Sequence, residues 1–157
     1  MDDEDNWYDW EAEDWERRAI EEERMEATLL EWLAREDAPD DEFLDAFADY
    51  SLEWWDHYTH LRIAWLLLGR HGRRDGMRRI FEGIRAFIDN SPRTQRSRGT
   101  TFHETMTYFW VHMVHYAREA TKNPGGDFKT FLLLNPQLCN GGMFLHYYSK
   151  KLMLMTP

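Results

Sequence analysis

The chain has a single cysteine, Cys139, among 157 residues. One thiol forms no intramolecular disulfide, and without a CxxC partner it builds no cysteine-based zinc site. A reducing compartment is the natural reading, with Cys139 as a small packed side chain rather than a nucleophile. Uncharged apolar runs of about 18 residues are also missing. The N-terminus MDDEDNW is acidic, where a signal peptide needs a basic start and an apolar centre. These absences predict an intracellular, cytoplasmic protein with no membrane span. Strand-like alternation, sustained heptads, internal repeats and low-complexity tracts are lacking too, which argues against a β fold, a coiled coil and a solenoid.

What is present is charge, unevenly spread. Residues 1 to 50 hold 21 Asp and Glu against 4 Arg, a net of -17. The remainder holds 8 acidic and 15 basic residues, a net of +7. Such asymmetry marks an acidic arm that meets something basic, either a partner or the protein's own body. Trp7, Tyr8, Trp10, Trp15 and Trp32 give the acidic segment apolar surface that a merely solvating tail lacks. The length suits one domain with one core, divided as an acidic, Trp-rich N-terminal helix or arm over residues 1–40 and a helical bundle over 41–157.

Helical periodicity runs through most of the chain. From about Asp9 to Arg35 there is neither Gly nor Pro, and Met25, Leu29, Trp32 and Leu33 share a stripe. Ala38-Pro39 ends this helix, and Asp40 or Asp41 is placed to cap a second one carrying Phe43, Phe47 and Tyr50. Ser51 is placed to cap the most apolar run, which ends near Gly69 to Gly72, and Asp75 to cap a helix with Met77, Ile80, Phe81, Ile84 and Ile88 inward. After the polar loop SPRTQRSRGTT, Thr100 or Thr101 opens a helix to about Ala120, with Glu104 set for a capping box. FKTFLLL forms a short helix broken by Asn135-Pro136, and Gly141-Gly142 opens a last short helix through His146, Tyr147 and Tyr148. The expected fold is an all-α, single-domain bundle of five to seven helices.

One constellation carries chemistry. His57 and His60 stand three residues apart, so their side chains leave one side of a helix one turn apart, the spacing at which two imidazoles share a metal ion. His103 and Glu104, in the first turn of a later helix, add a third nitrogen and a carboxylate. That set suits a divalent metal, zinc or iron. Paired histidines in a bundle also serve as core hydrogen-bonding groups, and a capping box explains Glu104 equally well. His112 and His115 repeat the three-residue spacing and compete for the same assignment.

HYTHLRIAW at residues 57 to 65, FHETMT at 102 to 107, FLLLNPQL at 131 to 138 and HYYSKKL at 146 to 152 together resemble a family of small uncharacterised all-helical proteins. Its members read H-x-x-H-L-R-x-A-W, Y-H-E-T-x-T, N-P-x-L and Y-Y-S in that order. The resemblance spans roughly residues 50 to 152. It matches His57, His60, Arg62, His103, Glu104, Thr105, Thr107, Tyr147 and Tyr148, and departs at Phe102, where the family has tyrosine. His112 and His115 lie outside it. The likeness marks positions and supplies no reaction.

On this reading His57, His60, His103 and Glu104 are the metal-ligand set, with Glu104 either the fourth ligand or a general base beside the metal. Arg62 holds an anionic small-molecule substrate, and Tyr147 and Tyr148 orient it. The activity is that of a metal-dependent hydrolase, lyase or oxygenase. The alternative is a non-enzymatic interaction module that engages a protein partner through residues 1–35, with tryptophan anchors. Nucleic-acid binding through Arg73, Arg74, Arg78, Arg79, Arg93, Arg96 and Arg98 ranks last, because the chain has a pI near 5.1 and no nucleic-acid motif.

Overall fold

The structure is a computed structural model that describes the backbone of residues 3–92, 94, 101–121 and 126–141, and the side chains of residues 14–92, 94, 106–121 and 126–141. Five helices follow one another: α1 (Asp3–Ala34), α2 (Asp40–Ala48), α3 (His57–Asn90), α4 (Thr101–Ala120) and α5 (Phe128–Leu134). A 3-10 turn, Pro136–Cys139, closes the series. There is no strand among the described residues. The all-α expectation holds, with five helices at the low end of the expected range; the last expected helix, after Gly141, lies outside the described residues.

Residues 61–68 of α3 are buried on every side, as a central helix must be, and apolar but for Arg62. Leu61, Ile63, Ala64, Trp65, Leu66, Leu67 and Leu68 are all buried. At Gly72 the backbone turns to φ 77°, ψ -178°, a region essentially reserved for glycine. The two arms of α3 then meet closely, for a Cβ on Gly76 would come 2.8 Å from the Leu67 carbonyl oxygen. The second arm buries Ile80, Ile84 and Phe87, spaced by four and three residues. α3 packs most extensively on α4, whose Trp110, Val111, Val114 and Ala117 are buried.

Three expected helix starts move. Asp56, not Ser51, caps α3: its side chain accepts the Thr59 amide, and Ser51 instead closes the end of α2 through its own amide to the Ala46 carbonyl. α2 begins at Asp40 behind Pro39, with no side-chain cap. Asp75 lies inside the second arm of α3 and binds Arg78 and Arg79 rather than capping. The proposed cap at Thr100 or Thr101 and the capping box at Glu104 fall on side chains outside the described residues.

Among the described side chains, α1 reaches the body through its last turns. Leu29 and Trp32 pack against the core, and α1 touches α5 and the 3-10 turn. Lys129 of α5 donates to the Leu33 and Arg35 carbonyls that the end of α1 leaves unpaired. Residues 15–24 are exposed throughout. No described helix is long and apolar enough to cross a membrane.

Candidate functional site

Asp56 organises the start of α3. One carboxylate oxygen accepts the Thr59 amide at 3.0 Å and the Thr59 hydroxyl at 2.8 Å. The other accepts Arg35 at 2.9 Å. Its backbone carbonyl accepts the His60 amide at 3.2 Å and the His60 Nδ1–H at 2.7 Å. Burial alone would raise the Asp56 pKa, but the two Thr59 bonds and the Arg35 charge outweigh it and hold the carboxyl below its ordinary value. Five donors from three residues, Thr59, Arg35 and His60, therefore converge on the residue immediately before His57.

His57 is fixed from another direction. Its Nε2–H donates to the Leu138 carbonyl in the 3-10 turn at 2.8 Å. Its ring meets Trp110 edge-on at 4.2 Å between centroids and Trp32 at 5.7 Å. Burial, with the neighbouring His60 adding to it and the Leu138 bond opposing, pulls the His57 pKa down to about 4. The ring is neutral near pH 7. Because each imidazole donates an N–H to a backbone carbonyl, its tautomer is set: the lone pair is on Nδ1 in His57 and on Nε2 in neutral His60. This is the outer-shell arrangement that orients metal-binding histidines.

Both rings line a cavity of about 340 Å³, closed by Trp55, Ile84, Ile88, Met106, Thr107, Trp110 and Val111. That volume falls within the roughly 300–1,000 Å³ of small-molecule sites. Trp55 stacks on Phe87 at 4.0 Å and leans on His60 at 4.4 Å, so the wall behind the imidazoles is aromatic and rigid.

The sequence-derived candidates sort as follows. His57 and His60 come together on the cavity wall. Arg62 does not join them, because residues two apart on a helix face different ways. It is 5% exposed, donates to the Ala38 carbonyl at 2.7 Å and to Asp40 at 3.0 Å, and lies over the Phe43 ring at 4.2 Å. Arg62 thus clamps the α1–α2 link onto α3, away from the cavity that the histidines line. Positions 103 and 104 lie in the first turn of α4, one turn before cavity-lining Thr107; their side chains, like Tyr147 and Tyr148, are outside the described residues. His112 and His115 do not line the cavity. His115 is buried and His112 stacks between Tyr108 and Tyr116. Among the described residues no three His, Cys, Asp or Glu side chains cluster as a metal site. Cys139 is buried, and burial pushes its thiol up to about 11, which suits packing rather than nucleophilic attack.

Sequence reasoning missed Asp56, Trp55, Trp110 and the Leu138 carbonyl. The Asp56 signal was present as Asp-x-x-Thr ahead of an apolar run, whereas Trp110 and Leu138 arrive from distant elements. Comparison with known protein families, curated proteins and solved structures gives no match.

Proposed function

We propose that the cavity between α3 and α4 is a small-molecule site in which His57 and His60 hold a divalent metal, zinc or iron(II), and that the protein is a metal-dependent enzyme. One observation carries this reading: two imidazoles on one cavity wall, each with its N–H already donated to a backbone carbonyl. Two described nitrogens are half a coordination set. His103 and Glu104 are the proposed remainder, since their helix positions precede Thr107 by one turn. A bound metal would supply Lewis-acid activation of water or, as iron, redox chemistry. The chain's own part is to hold neutral ligands, through burial at His57, and to exclude water with Trp55, Trp110, Ile84 and Ile88. Tyr147 and Tyr148 are the proposed orienting hydroxyls.

Elemental analysis of tag-free protein tests the reading, with a His60→Gln, His103→Gln double variant checked for folding by circular dichroism. About one equivalent of metal in wild type and none in the variant is expected for a single mononuclear site. Absence of metal in both, after anaerobic supply of iron and zinc, overturns it and leaves the histidines as hydrogen-bonding groups of the core.

A second reading, an interaction module, has its own observation: Trp15 is 72% and Ile20 51% exposed on α1. A basic protein partner would bind this acidic face and lose affinity with added salt. Binding insensitive to deletion of residues 1–24 would exclude it.

A further inference from the structure

A second recess lies two turns along α3 from the histidines, lined by Asp40, Trp65, Leu66, Gly69, Arg70, Arg118 and Gly126, with a volume of about 410 Å³. Its charges are unbalanced. Asp40 is engaged by Arg62, and Arg70 pairs with Asp41 at 2.8 Å. Arg118, reaching over from α4, forms no ion pair with any carboxylate of the described residues. Its one hydrogen bond is a long 3.4 Å contact to the Trp65 carbonyl.

The Arg118 guanidinium is nevertheless held in place. It lies on Gly69 so closely that a Cβ there would meet Nη2 at 3.1 Å, Nη1 at 3.2 Å and Cζ at 3.3 Å. Its other support is the Trp65 ring, 5.5 Å from Cζ. Burial lowers the Arg118 pKa, with Glu119 partly opposing. The indole Nε1–H of Trp65 is also buried without an acceptor. A half-buried cation that makes no ion pair with a carboxylate of the described residues, held on the wall of a recess, is the arrangement that a small anion completes.

We infer that Arg118 and Arg70 form a binding site for a small oxyanion, the carboxylate or phosphate group of a metabolite, where α3 and α4 meet the start of α2. The planar fork of Arg118 takes two oxygens side by side, and Arg70, displaced from Asp41, adds a second charge. Gly69 leaves room for the fork, since a Cβ there would stand 3.1 Å from Nη2 and oblige the guanidinium to shift. The inference does not depend on the metal reading, for none of these residues lines the histidine cavity.

The test is an amide and arginine Nε–H NMR titration of the full chain with inorganic phosphate and, separately, with acetate, each at ionic strength matched with chloride. Saturable shifts at Gly69, Gly126 and Arg118 are expected with at least one of the two anions, and the anion that saturates names the group. Arg118→Gln should weaken the binding about tenfold or more. Gly69→Ala should weaken it while leaving the rest of the spectrum folded. Arg70→Gln, at an exposed position, removes one charge without threatening the core and should also weaken it. Linear, non-saturating shifts with both anions, or saturation unchanged in Arg70→Gln and Gly69→Ala, overturn the site.

Discussion

The Nε2–H of His57 donates to the carbonyl oxygen of Leu138, 81 residues further along the chain, at 2.8 Å. This bond ties the first residue of α3 to the 3-10 turn, and with burial it has a consequence for pH. The folded pKa of about 4 lies below the ordinary 6.5. As pH falls through 6.5 the unfolded chain takes up a proton that the folded chain refuses until about pH 4. The stability is therefore complete above pH 6.5 and is lost between 6.5 and 4, at up to roughly 1.4 kcal/mol per unit and about 3 kcal/mol in all. Urea unfolding of wild type and His57→Gln should show their stability difference shrinking over that window. A difference that stays constant from pH 7 to 4.5 would mean the ring is not held neutral by the fold.

Asp56→Ala should cost about 2 kcal/mol, the loss of an N-cap together with a partly exposed Arg35 pair worth less. Asp56→Asn keeps a capping oxygen and should cost less than half of that. The depressed carboxyl pKa adds a sign: this contribution is present above the ordinary carboxylate range and disappears as pH falls below it. Equal losses for Ala and Asn would place the stabilisation in the charge and not in the cap.

Gly72→Ala should destabilise by about 2 kcal/mol, because φ 77° with ψ -178° is strained for any residue with a Cβ. Nothing lies within 4 Å of a Cβ there, so crowding plays no part. Loss of stability in thermal unfolding with an unchanged cavity, seen as unperturbed Trp110 and Thr107 amide shifts, is the expected outcome. A neutral Gly72→Ala would show that the two arms of α3 join by a different backbone path.

Deleting residues 1–24 should change the unfolding free energy by no more than about 0.5 kcal/mol, as for surface changes generally. Trp32→Ala should cost about 2 kcal/mol, less than the 3–5 of a fully buried tryptophan, since Trp32 packs on His57 and Tyr58. A large loss on deletion would show that the exposed part of α1 supports the body.

Local features were legible in the sequence, and partnerships were not. Ala38-Pro39 ended α1, FKTFLLL formed α5, and the apolar run after His57 became the central helix, because composition and breakers act within a turn or two. The shared cavity wall of His57 and His60 followed from three-residue spacing alone. The choice of Asp56 over Ser51 as cap depended on Thr59 and Arg35 both answering it, and Arg35 is 21 residues away. Arg62 illustrates the same limit: its helix position could be read, but its engagement by Ala38 and Asp40 required the α1–α2 link to fold back over α3. The arginine at 118, without an ion pair among the described residues, had no sequence signal, because its pairing depends on neighbours that only the fold brings up.

Asp56 also determines how the cavity wall breathes. The first amides of a helix ordinarily lack acceptors and exchange their protons with water readily. Here the Thr59 amide is taken by the Asp56 carboxylate and the His60 amide by the Asp56 carbonyl. The His60 bond is the first ordinary bond of the helix, whereas exchange at the Thr59 amide requires the Asp56 carboxylate to let go. The turn that presents the imidazoles is therefore expected to exchange together with the Arg35 link and not as a fraying end.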